Sequence, residues 1–204
     1  MRFLLPIVSL IAAGAVGGLG AASARWRRAS GEMAGALAPR TPEVAVHQED
    51  FNGLPPPVER YLRRALPIGS TPSAVRLEHR GYFLLNGSWR PFHSTEFFGV
   101  EPRGFVWDAR IRALPLLDVH VRDSSIRGRG SMRAAVGGIV PVVNEHGSAL
   151  LDIGALQRYL AEAPWLPLAL LPRFGVTWEA LDDTRARATI AQRGCQCVTR
   201  RHLR

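Results

Sequence analysis

Two patterns divide this chain. From Phe3 to Ala24 it runs for 22 residues without a charge. From Val75 onward, apolar and polar positions alternate in the period of two that marks β-strands with one buried face. Val75, Leu77 and His79 alternate with Arg76, Glu78 and Arg80, and Asn86-Gly87 predicts a tight hairpin turn, since these residues accept the positive φ angles it needs. Phe92 to Phe98 reads as the returning strand. Phe105, Trp107, Ala109 and Ile111 then share one face of a strand, opposite Val106, Asp108, Arg110 and Arg112. Leu117, Val119 and Val121 repeat the alternation, and Ile126 to Met132 continues it with Gly128 and Gly130 allowing a bend or bulge.

Helical spacing appears twice in the body. Val58, Tyr61, Leu62, Ala65 and Leu66 recur at i, i+3, i+4, i+7 and i+8 after the prolines 55–57, which predicts a short amphipathic helix ended by Pro67. Leu156, Tyr159, Leu160 and Ala163 predict a second helix, with Asp152 as its cap. Pro164, Pro167 and Pro172 break the apolar run that follows into short turns, read as a lid or plug over an apolar cavity. Val176, Trp178 and Ala180 give a strand whose partner carries Ala186, Ala188 and Ile190; after Ile190 no alternation is visible.

The uncharged N-terminal run is long enough to cross a bilayer as a helix. One reading is an anchor closed by Arg25-Trp26-Arg27-Arg28, with Trp26 at the membrane interface. The other is a secretory signal peptide, with Arg2 as its basic region and Ala22-Ser23-Ala24 as its cleavage site. The arginines after the run favour a cytoplasmic body, and an exported body stays open. The resulting division is an anchor or signal over 1–28, a tether over 29–52, an α+β domain over 53–190 and an irregular basic tail over 191–204. The fold class is α+β: a curved antiparallel sheet or half-barrel with helices over one face, plus the N-terminal membrane helix.

Charge changes this picture less than its total suggests. The chain has 204 residues, 26 arginines, no lysine and a formal charge of +9. The excess sits at the two ends: residues 1–28 and 185–204 carry ten arginines and no acid, while residues 29–184 carry sixteen arginines against seventeen acids. A near-neutral body lacks the basic surface that tracks phosphates, so no nucleic-acid partner is expected. Cys195-x-Cys197 is too close for an ordinary disulfide and has no zinc-ligand companions.

The blocks FNGLPPPVERYLRRALP, RGYFLLNGSWRPF, PRGFVWDARIR, VRDSSIRGRGSM and RYLAEAPWLPLALLP resemble a bacterial family, domain of unknown function 6544, over about residues 51 to 190. The resemblance implies an N-terminal membrane helix and transfers no catalytic residue. It also implies further strands after the segment Trp178 to Asp183, where this chain departs, so that a truncated or frame-shifted C-terminus is expected.

The candidate chemistry lies in carboxylates and indoles. Asp108, Asp123 and Glu162 stand at marked positions, and general acid–base work needs two such groups brought together in a partly dry cleft. For Asp108 the simpler alternative is a cross-strand ion pair; Glu162, if it points beneath the lid, needs an arginine partner. Trp107 and Trp165 are the aromatic candidates for lining a cavity. The six histidines have no metal-ligand spacing, and neither a phosphate loop nor a dinucleotide fingerprint is present, so neither a metal nor a cofactor is expected. The expected function is a membrane-tethered protein binding an apolar or lipid-like ligand through Trp107, Asp108, Asp123, Glu162 and Trp165. The alternatives are a small-substrate enzyme using these carboxylates and a membrane-associated interaction module.

Overall fold

The computed structural model describes the backbone of residues 4–114, 117–192 and 195–202, and the side chains of 17–114 and 117–191. Its centre is a six-stranded antiparallel meander: β3 (Ala74–Leu85), β4 (Ser88–Val100), β5 (Arg103–Leu114), β6 (Leu117–Ile126), β7 (Arg129–Val136) and β8 (Val140–His146). Each strand pairs with its neighbours in sequence, and the sheet does not close. The first hairpin turns on Asn86 and Gly87, at φ 49° and 75°, the conformation that the pair was read to supply.

Two smaller sheets flank this one. β1 (Glu43–Val46) pairs with β2 (Gly69–Pro72), and α2 (Pro56–Ala65) lies between them in sequence. The apolar stripe of α2 is buried through Val58, Leu62 and the following Leu66, as its spacing predicted. β9 (Val176–Ala180), β10 (Arg185–Gln192) and β11 (Cys195–His202) form a three-stranded antiparallel sheet. The predicted irregular tail therefore contains a strand. β11 lacks apolar alternation because backbone pairing along β10, from Arg185–His202 to Gln192–Cys195, is what places it. The side chains of Cys195 and Cys197 lie outside the described residues.

The N-terminal segment departs most from its pattern. α1 is one helix from Leu4 to Gly35. The side chains of residues 1–16, most of the predicted membrane segment, lie outside the described residues; among the described residues no helix is long and apolar enough to cross a membrane. Helical spacing turns Ala22, Trp26 and Ser30 onto the sheet, where all three are buried. Trp26, expected at a membrane interface, instead stacks under two guanidinium groups, with the carbons of Arg122 and Arg133 at 4.8 and 5.5 Å from its ring. Its indole N–H donates to Asp108 at 3.1 Å, and its ring meets His120 edge-on at 5.5 Å. The expected tether over 29–52 is ordered in the same way. α1 continues to Gly35, Leu37 is fully buried, and a 3-10 turn over Gln48–Phe51 buries Phe51.

α3 (Ala149–Glu162) covers the other face of the meander, so helices lie on both faces and not on one. Ser148 caps α3 by accepting from the Leu151 N–H. Asp152, expected in that role, accepts instead from the Gly130 N–H at 2.7 Å. A Cβ on Gly130 would lie 2.6 Å from the Leu151 carbonyl oxygen, so this glycine permits the close approach of strand and helix. The Tyr159 hydroxyl donates to the Gly99 carbonyl, and its ring stacks on Phe98 at 4.5 Å. The proline-broken segment forms 3-10 turns at Ala163–Trp165, Pro167–Leu170 and Pro172–Phe174. Leu168, Ala169, Leu170 and Leu171 are buried in the main core with α2, α3 and the third sheet. The segment is thus largely core filling; Trp165 borders one open cleft, and Arg173 and Phe174 border a second beside Arg103 and Arg127.

Candidate functional site

Strand register places the site. Glu96 on β4 lies opposite Trp107 on β5, Trp107 opposite Asp123 on β6, and Asp123 opposite Met132 on β7. Opposed residues project to the same side of a sheet, so the four side chains form a row beneath α3. α3 contributes Arg158 and Glu162, one helical turn apart and therefore on one face.

Arg158 sits at the centre. Its Nη1 donates to Asp123 Oδ2 at 2.6 Å, its Nε donates to both Glu162 oxygens at 3.1 Å, and its Nη2 stands 3.6 Å from Glu96 Oε1. The guanidinium also lies over the rings of Phe105, at 4.8 Å, and Trp107, at 5.1 Å. One cation thus faces three carboxyl groups while resting on two aromatic rings. Burial raises the Arg158 site's need for this partnership, and the three acids hold its protonation above the ordinary arginine range.

Glu96 is fully buried. Neither of its oxygens accepts a hydrogen bond from a protein donor. Burial, followed by the nearby Glu162 charge, pushes its pKa up to about 8, against the pull of Arg158. At neutral pH it is therefore a carboxylic acid, with a proton to share with Glu162.

The cluster forms one end of an open cleft of about 600 Å³. The walls come from Tyr82, Phe83, Phe92, Trp107, Val121, Met132 and Trp165, with His79 at the edge. His79 lies 5.0 Å from the Trp165 ring and shares a hydrogen bond with Ser94 Oγ at 3.2 Å. Aromatic walls leading to a few converging polar groups are the usual composition of a small-molecule site.

Four of the five expected site residues meet here: Trp107, Asp123, Glu162 and Trp165. Asp108 does not. It follows Trp107 directly in a strand and so projects from the opposite face, where it pairs in register with Arg122 and accepts from Trp26. Glu96 and Arg158 were missed. Glu96 occupies the inward frame of β4 with Ser94 and Phe98, and Arg158 precedes Glu162 by four residues beside the apolar Tyr159. Those two spacings were the available signals. Among the described residues, no group of histidine, cysteine and carboxylate side chains is arranged to hold a metal.

A family model described as a family of unknown function, DUF6544, matches residues 44–200. The match begins within β1 and continues past Asp183, where a departure was expected. No curated protein and no solved structure matches the chain.

Proposed function

Because the chain belongs to the DUF6544 family of unknown function, we propose its role from the cleft: a membrane-tethered protein that binds an amphiphilic, lipid-like ligand. The apolar body of the ligand lies along Tyr82, Phe92, Trp107 and Trp165, and its head meets the Arg158 cluster. The observation that carries this reading is the junction of an aromatic wall with a cluster holding three carboxyl groups against one guanidinium. That excess of acid favours a head that donates hydrogen bonds, such as a hydroxyl or an amine, over a carboxylate or phosphate. The membrane tether is supported by the uncharged run from Phe3 to Ala24.

Native mass spectrometry of the full chain, with extraction of what it carries, tests the reading directly. Titration with decylamine, decanol and decanoate, followed by tryptophan fluorescence, tests the choice of head. The amine and the alcohol are expected to bind more tightly than the acid. Recovery of no ligand together with equal, weak response to all three probes overturns the proposal.

A second reading follows from Glu96 and Glu162. A buried acid beside a second carboxyl group has the arrangement of a general acid–base pair, which makes the cleft a small-substrate active site. Turnover that is abolished in Glu162→Gln while binding persists separates this reading from the first.

A further inference from the structure

We propose that one end of the six-stranded sheet seats in the interface of an anionic lipid bilayer, with its hairpin tips inserted beside α1. The inference rests on the tether in the reading above; Tyr82 and Phe83 belong both to this end of the sheet and to the wall of the cleft.

The antiparallel order puts the β3–β4 turn, the last residue of β5 and the β7–β8 turn at the same end of the sheet. Eight of the thirteen exposed large apolar side chains among the described residues gather there: Tyr82, Phe83, Leu84 and Trp89, then Leu114, then Ile139, Val140 and Val142. Trp89 is 67% exposed, and Leu84, Leu114, Ile139, Val140 and Val142 are each more than half exposed. Concentration at one end, and not scattering, is what marks an interaction surface.

The course of α1 identifies the occupant. Near the opposite end of the sheet, Leu37 lies against Gly99 and Gly104; midway, Trp26 lies against Asp108; at the apolar end, Ala22 lies against Gly138 and Leu19 against Gly137. The N-terminal part of α1 therefore leaves the sheet at the end that carries the exposed tips. It leaves as the same helix that is pinned by Trp26, with no linker between them. Residues 4–18 remain beyond Leu19, about 22 Å of helix, against a hydrocarbon core about 30 Å thick. They carry no charge. Because the helix is continuous where it leaves the sheet, entry of residues 4–18 into hydrocarbon carries this end of the sheet to the boundary, and that contact brings the tips into the interface.

The charge agrees. Residues 80–92 contain Arg80 and Arg90 and no acid, residues 136–143 contain no charge, and Arg112 near the second tip is neutralised by Asp118 at 2.7 Å. Apolar tips with a basic margin suit an anionic leaflet. A soluble protein partner for these tips, or a second copy of the chain, would not account for the direction of the helix.

The test uses the full chain with Cys195 and Cys197 replaced by serine. An environment-sensitive nitrobenzoxadiazole label is placed through Leu84→Cys, Ile139→Cys or Leu150→Cys. Leu150 is 80% exposed at the start of α3, by the opposite end of the sheet, and serves as the control. With vesicles of phosphatidylcholine and phosphatidylglycerol, the labels at 84 and 139 are expected to shift to the blue while the label at 150 does not. Leu84→Asp with Trp89→Asp is expected to weaken vesicle binding by about tenfold or more. Flotation with vesicles but no shift at 84 and 139 overturns the inference and leaves the tether standing. Absence of flotation overturns both. A concentration-dependent shift without vesicles assigns the tips to self-association and also overturns it.

Discussion

Glu96 and Asp123 lie in one cross-strand row with only Trp107 between them, and Arg158 reaches both from the helix above. The sheet brings the acids together and α3 brings the cation, so the cluster exists only while the two layers are docked. Arg158→Met, which keeps the length and loses the charge, is expected to cost about 2–3 kcal/mol near neutral pH, because three carboxyl groups then lose their cation. Urea denaturation near neutral pH measures it.

Glu96 has a folded pKa of about 8 against an ordinary 4.5. Between those values the folded state holds a proton that the unfolded state has released, so this group's contribution makes stability fall as pH rises through the window and level off above it. Glu96→Gln mimics the protonated acid. It is expected to remove that slope, at most about 1.4 kcal/mol per pH unit, and to gain on the wild type steadily from about pH 5 to about pH 8. Denaturation curves across the window check the sign. Equal slopes in both proteins would show that Glu96 is ionised in the fold.

Trp26 is the contact that fastens α1. Trp26→Ala is expected to cost about 3 kcal/mol or more by removing a buried indole. It also frees the chain around Arg27 and Arg28 for tryptic cleavage. Trp26→Phe keeps an aromatic ring beneath Arg122 while losing the hydrogen bond to Asp108 and part of the buried indole, at about 1–2 kcal/mol. Thermal melts with timed proteolysis distinguish the two.

Gly130 sets how closely β7 and α3 approach. Gly130→Ala is expected to destabilise the fold by about 1–3 kcal/mol, since its new methyl group would press on the Leu151 carbonyl. It would also lift Arg158 from Asp123, so its effect and that of Arg158→Met are expected to be less than additive. A double-mutant cycle reads the coupling.

Trp165 stands on the rim of the cleft, 44% exposed. Trp165→Ala is expected to change stability by less than about 1 kcal/mol. The same substitution is expected to weaken decylamine binding about fivefold, through lost apolar contact. Calorimetric titration beside a thermal melt separates affinity from folding.

Strands β3 to β6 were legible from their alternation and from Asn86-Gly87 at the first turn; β8 was not, because Val140-Pro141-Val142-Val143 is apolar without alternation, and Arg127-Gly128, read as a bend or bulge within one strand, is the β6–β7 turn. The N-cap at Ser148 was not legible either, since Asp152 offers an equally suitable side chain and only the position of Gly130 decides between them. The uncharged run was legible only in part, for a clear cause. A run without charges reports only that water is not required along it, and a helix face against a sheet and a helix in lipid satisfy that condition alike. Ala22, in its last turn, belongs to the first case. In the cleft, alternation separated Trp107 from Asp108 once the buried face was known, but which carboxyl groups meet depends on strand register. That is a long-range property, fixed by turns and pairing together.

The unbroken helix from Leu4 to Trp26 makes orientation a matter of rotational phase. Each residue of an α-helix turns the chain by about 100°. One residue inserted between Gly18 and Leu19 would therefore swing the whole sheet by that angle about the helix axis, aiming the mouth of the cleft in a new direction without altering any contact inside the domain.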